Sequence, residues 1–286
     1  MSDTTRLTRR DVLRLLAAGV AGGSLLPHIA YADATPSLPR IDRMGLQQYT
    51  VRRALAKDIE GTIAAIAKTG ITELEFFDMF GKDVAWWSTL LRKFNLTAPS
   101  THEGLPKTDE EWGPIFDRAH GMGHTLVVVP SVGNEYRGSK ANWMKLADRL
   151  DKGAAKARAA GLQFAYHNHD YEFAPVEGTT GYEILTTNTD AIAVKLEMDI
   201  YWTVKGGQDP LALMKRWPNR IVAVHVKDAG PAPERKMMDV GAGTIDFKTL
   251  LATGRKQGLQ HWFIEHDTPA DPIASITASA AALKKL

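Results

Sequence analysis

Along residues 35–286, short β-branched or aromatic runs alternate eight times with longer amphipathic stretches, and this alternation constrains the fold more than any other feature of the chain. Strands are predicted at 44–49, 72–77, 97–102, 125–130, 162–167, 193–198, 221–226 and 261–265. Helical patterns lie between them near 58–69, 83–95, 108–122, 139–160, 180–188, 209–216, 246–257 and 271–285. Gly70, Gly123, Gly161 and Gly258 each follow a predicted helix, where a left-handed residue closes the last turn. Eight strand-then-helix units in one stretch of about 250 residues predict a single (β/α)8 barrel of α/β class. A doubly wound open sheet is the competing arrangement, but no G-x-G-x-x-G follows the first strand.

Residues 1–34 stand apart from that pattern. Arg9-Arg10 precedes an apolar, glycine-containing run from Val12 to Leu26, then Pro27 and two Ala-x-Ala options, Ala30-Tyr31-Ala32 and Ala32-Asp33-Ala34. The run is too short for a membrane span and is followed by cleavage-type residues, so it reads as a twin-arginine export signal. An uncut lipid-surface anchor helix is the alternative. The expectation is a mature protein beginning near Asp33 or Thr35, handled by the twin-arginine export machinery and delivered to the periplasm or outside the cell, with no stable membrane span. Export by that route implies folding, and loading of any cofactor, in the cytoplasm. With 35 basic and 33 acidic residues the net charge is +2, which supplies no field for gathering nucleic acid. The chain has no cysteine, so any metal must be held by His, Asp and Glu.

In a barrel, reacting groups sit at the C-terminal ends of the strands and in the loops that follow. The polar residues there are Gln47 and Gln48 on strand 1, Glu75 and Asp78 on strand 2, and His102 and Glu103 on strand 3. Strand 5 ends in His167-Asn168-His169-Asp170 with Glu172 beyond, and strand 6 carries Glu197 and Asp199. Strand 7 ends in His225, Lys227 and Asp228, and strand 8 in Glu265, His266 and Asp267. His167, Asp199, His225 and Glu265 fall at equivalent ends of four neighbouring strands. Two imidazoles and two carboxylates suit one divalent ion, Mn²⁺, Zn²⁺, Co²⁺ or Fe²⁺, with ligand atoms at about 2.0–2.3 Å. Each residue alone would be an ordinary hydrogen-bonded loop residue; the four together predict a metal site.

The stretches GLQQYTVR, ELEFFD, AYHNHDYEF, LEMDIYW, VAVHVKD, DVGAGTIDF and FIEHD, spread over the whole of residues 35–286, resemble the xylose isomerase-like barrels of the sugar phosphate isomerase/epimerase family, which includes the ketose 3-epimerases. The resemblance implies a metal held by Glu, Asp, His and Glu on strands 5 to 8. Asp199, His225 and Glu265 match the last three. The first Glu is missing, its region reading His167-Asn168-His169, so one of the epimerases' two proton-transferring carboxylates is absent. His167 or His169 then supplies the strand-5 ligand. Glu172 resembles the family's later substrate-contacting Glu. The endonuclease IV-like repair enzymes of the same superfamily carry a His three residues after the strand-6 Asp, where this chain has Trp202, a residue able to stack on a sugar ring.

Glu265 is the candidate base, with His169 or Lys227 the candidate acid. Lys227 has simple pairing with Asp228 as its alternative. Candidate substrate contacts are His102, Glu172, Trp202 and Glu75; for Glu75 the alternative is a strand-end ion pair, and for His102-Glu103 a loop role before Pro106. Gly241-Ala242-Gly243 reads as a tight turn, and Trp86-Trp87 as helix packing. The resulting expectation is a metal-dependent sugar isomerase or epimerase working through an enediolate on a keto-sugar or sugar derivative. The alternatives are a 3-keto-glycoside lyase or hydrolase working by β-elimination and, from another class, an inactive sugar-binding barrel.

Overall fold

The computed structural model describes residues 43–286, so the twin-arginine segment and its cleavage sites lie outside the described residues. Eight parallel strands close into a barrel: β1 (Gly45–Gln47), β2 (Glu73–Phe76), β3 (Thr97–His102), β4 (Leu126–Val129), β5 (Gln163–His167), β6 (Val194–Asp199), β7 (Ile221–Val226) and β8 (His261–Ile264). Ring order follows chain order, and β8 returns to pair with β1, Gly45 opposite Phe263. The closed ring excludes the open doubly wound sheet.

The helices begin where short polar side chains permit. Asp58, Asp83, Ser139, Thr180, Asp209, Asp246 and Asp271 each accept a backbone N–H of the first helical turn, so these residues fix the starts of the helices that follow β1, β2, β4, β5, β6, β7 and β8. The apolar faces of those helices pack on the outside of the barrel, where Trp87, Trp112 and Trp262 are fully buried. Inside, alternate residues of each strand point to the axis. A small interior cluster of Leu126, Val128, Ala165, Ala223 and Phe263 fills the lower part. Gly45 is required at this level, because a Cβ there would lie 2.3 Å from the Phe263 ring.

The structure differs from the sequence expectation in two places that matter for the site. Strand β1 stops at Gln47, whose side chain accepts the Tyr49 N–H at 3.1 Å and bends Gln48–Val51 into a 3₁₀ turn. After β6 an unpredicted helix, Ile200–Lys205, starts immediately, capped by Asp199, which accepts the Trp202 N–H at 2.9 Å. Its aromatic and β-branched residues have poor helix propensity, and the cap and tertiary packing override them. Among the described residues no helix is long and apolar enough to cross a membrane.

Candidate active site

The same inward parity that places Ala165, Ala223 and Phe263 in the barrel carries His167, His225 and Glu265 to its upper end two residues later. Glu197 and Asp199 share one face of β6 by the same spacing. The result is a polar floor above the apolar plug, with Glu75, Glu197, Asp199 and His225 all fully buried.

His167, Asp199, His225 and Glu265 are brought together. Ligand-type atoms of Asp199, His225 and Glu265 all lie within 4.8 Å of one another. His167 Nε2 is 3.6 Å from Asp199 Oδ2, and His225 Nδ1 is 2.6 Å from Glu265 Oε2. The other nitrogen of each ring is held by a carboxylate: His225 Nε2–H donates to Glu75 at 2.6 Å, and His167 Nδ1–H to Glu197 at 3.0 Å. Such outer partners fix ring orientation and tautomer, the arrangement found behind metal-ligating histidines. The donor set therefore fits a divalent ion, with Nε2 of His167 and Nδ1 of His225 turned toward the two carboxylates. Burial pushes His167 well below its usual pKa, and the neighbouring His225 charge adds to this, leaving the neutral imidazole that metals bind. Burial opposes the His225 charge, but Glu197 and Glu265 outweigh it and raise that ring well above its usual value, so a metal would have to displace its Nδ1 proton. Burial pushes Asp199 up to about 6 against the opposing charges of Lys227 and His225.

Lys227 does not pair with Asp228. Its Nζ lies 2.7 Å from Asp199, 2.6 Å from Glu265 and 2.8 Å from Asp267, an ammonium balancing three carboxylates. Asp228 is used otherwise: it accepts N–H groups of Ala229, Gly241, Gly243 and Ile245, so the Gly241-Ala242-Gly243 turn wraps its carboxylate. A Cβ on Gly243 would lie 2.3 Å from that carboxylate.

Three expected substrate contacts are placed elsewhere, and a fourth is placed differently from the expectation. Glu75 is 0% exposed and spent on Gln47, Ser100 and His225 within the floor, and it does not line the cleft. Glu172 is also fully buried; it accepts the Tyr166 hydroxyl at 2.7 Å and the His169 N–H at 2.8 Å, so it positions the His169 loop. Burial raises its pKa to about 7. Trp202 packs against His169, ring centroids 5.6 Å apart, and does not line the cleft above the floor. His102 does reach the cleft, but its Nε2 is committed to Glu197 at 2.7 Å and Glu75 at 3.2 Å. Burial opposes its charge, yet those carboxylates outweigh it and raise its pKa to about 9. His169 lies past the end of β5, its ring stacked on Tyr171 at 5.6 Å and lining the cleft.

Glu197 and Asp267 belong to this site, although chain position alone marks them only as rim residues. The signal for Glu197 was its two-residue spacing from Asp199, which puts both on the inner face. Burial and the Glu75 charge push Glu197 up, but His225 and His102 outweigh them and bring it down to about 2. Above the floor opens a cleft of about 450 Å³, reached by His102, His167, His169, Lys227, Glu265 and Asp267.

A family profile described as xylose isomerase-like TIM barrel matches residues 44–286. Among curated proteins, an inosose dehydratase of Bacillus anthracis (strain CDC 684 / NRRL 3495) is 32% identical over 216 residues, 63% of this chain and 66% of that protein. The chain thus matches slightly under two thirds of that relative's length. The structure of a sugar phosphate isomerase/epimerase from Parabacteroides distasonis ATCC 8503 is similar with a TM-score of 0.77 at 22% identity, over 85% of this chain and 98% of that one. An IOLI protein with a binding zinc atom is similar with a TM-score of 0.66 at 15% identity, over 85% and 97% of the two chains. At such identities the two structures establish the fold and no more.

Proposed function

Because the chain belongs to the xylose isomerase-like TIM barrel family, we propose that it is a divalent-metal-dependent lyase that removes a β substituent, water or an alcohol, from a polyhydroxylated keto-sugar or keto-cyclitol. The observation that carries this reading is the convergence of Asp199, His225 and Glu265 beneath the cleft, with His167 Nε2 3.6 Å from Asp199 and the outer ring nitrogens of both histidines held by buried carboxylates. Those four residues would hold the ion. A bound divalent ion supplies charge stabilisation for the ketone oxygen as an enolate develops.

The side chains supply the proton transfers. Glu265 takes the proton from the carbon next to the ketone. Burial opposes its charge, but Lys227 and His225 outweigh burial and keep it an ionised carboxylate, the form that accepts a proton. The C–H electron pair becomes part of a carbon–carbon double bond, and the C–O bond to the β substituent breaks with its electrons leaving on oxygen. Lys227, an ammonium lining the cleft, gives that oxygen a proton, whereas burial and the Lys227 charge hold the pKa of His169 down at about 3, so its neutral ring is no proton donor there. The products are an unsaturated ketone and water or an alcohol, with no oxidant required.

Isomerisation or epimerisation would share the proton abstraction and differ afterwards, the proton returning to carbon. Elimination is favoured because the strand-5 carboxylate that would serve a second proton transfer at carbon is absent, and because the curated relative carries a dehydratase name. The experiment is proton NMR of the metal-loaded protein in D₂O with a keto-inositol and with 3-keto-glucosides. Elimination yields an olefinic product and released water or alcohol. A stereoisomer or positional isomer carrying deuterium, with the substituent retained, would replace the lyase reading with the isomerase one. Binding without deuterium incorporation would indicate a sugar-binding barrel.

A further inference from the structure

The cleft has two chemically distinct halves. Its floor is histidine, lysine and carboxylate, whereas the wall contributed by the ends of β1 and β2 is aromatic. Tyr49 is 40% exposed, one of few large apolar side chains on the described surface, and it lines the cleft. Its ring is held on two sides: the Arg52 guanidinium lies 3.7 Å from the centroid, and Phe77 packs edge-on at 5.4 Å. Phe77 is braced in turn by Phe80 at 5.7 Å. Arg52 also donates to the Asp267 carbonyl at 2.9 Å, which ties the shelf to the loop after β8 that bears floor residues.

A flat, pre-ordered aromatic surface with its polar neighbours already satisfied binds flat apolar groups by stacking and costs little side-chain entropy on binding. A single polyhydroxylated ring engaged by the floor has no group to offer it. The volume agrees: about 450 Å³ falls in the range of about 300–1,000 Å³ that holds drug-sized ligands. We infer that Tyr49 and Phe77 form a subsite for a substituent on the reacting ring, so that the substrate is a glycoside whose second group presents a flat apolar face, an aromatic aglycone or the C–H face of a second sugar. This inference rests on the reading of the floor as the end of the cleft that holds the reacting ring. Arg52 keeps the shelf in place as a positioning residue.

Calorimetric titration of the metal-loaded full chain with methyl β-glucoside, phenyl β-glucoside and cellobiose tests it, because these parent glucosides carry no ketone and cannot react. The phenyl glucoside should bind at least tenfold more tightly than the methyl one, and Tyr49→Ala and Phe77→Ala should each bring that ratio to within about threefold. Metal content and melting temperature of each variant serve as the folding control. A tenfold advantage for cellobiose as well identifies a second sugar as an accepted occupant, and an advantage for phenyl alone identifies an aryl group. Equal affinity for methyl and phenyl glucosides, no measurable binding of either at millimolar concentration, or a phenyl preference that survives in both folded variants would overturn the subsite. The lyase reading fails separately, by absence of elimination from keto substrates with the phenyl preference intact.

Discussion

Glu75 and Glu172 are carboxylates that chain position places at the mouth and that the structure buries, each with a different consequence. Glu75 receives the Nε2–H of His225, so its replacement should act on metal affinity through the ring it orients. Glu75→Gln is expected to weaken binding of one equivalent of Zn²⁺ or Mn²⁺ by about 10–100-fold in chelator competition, the range seen for outer partners of ligating histidines. Unchanged affinity would show that His225 needs no such support. Glu172 has its pKa raised to about 7 by burial. A carboxyl raised in the folded state stabilises fully below its unfolded value and loses that contribution as pH rises through the folded one. The native protein should therefore lose stability between about pH 4.5 and 7 from this group. Glu172→Gln should flatten that decline, melting closer to or above the native protein at pH 8 than at pH 5; parallel melting curves across pH would contradict it.

At the scale of the elements, the barrel is legible because helix starts and strand parity are local. Asp58, Asp83, Ser139, Thr180, Asp209, Asp246 and Asp271 announce their helices by side-chain chemistry alone. The helix Ile200–Lys205 is not legible, since Tyr201, Trp202 and Val204 belong to a helix by packing and by the Asp199 cap rather than by propensity. The candidate site divides in the same way. His167, Asp199, His225 and Glu265 can be placed from strand ends, because equivalent positions on neighbouring parallel strands meet. The partners of the histidines cannot, because Glu75 reaches His225 across a sequence separation of 150 residues and depends on the closed ring. Gly45 tests that closure. Gly45→Ala sets a methyl against the Phe263 ring, and overpacking of this kind costs about 1–3 kcal/mol. A fall in melting temperature of about 2–4 °C per kcal/mol is expected, and an unchanged melting temperature would mean that the ring at Phe263 moves freely.

In the whole molecule, one barrel carries both the candidate metal centre and a cleft with an aromatic wall. The twin-arginine segment is proposed as the export signal, with a metal loaded before the folded protein crosses the membrane. Arg9→Lys with Arg10→Lys should retain the uncut precursor in the cytoplasm; a processed, exported double variant would reject that route. Glu265 is proposed both among the metal-holding residues and at the proton to be removed. The most direct test follows solvent deuterium entering a keto-sugar in the presence of metal-loaded native protein and of Glu265→Gln, with metal content measured in both. Exchange should fall by at least about 10²-fold in the variant, since the amide keeps the shape and hydrogen bonding of the side chain but cannot accept the proton. Undiminished exchange in a metal-loaded Glu265→Gln protein would contradict the assignment of the base and the elimination built on it.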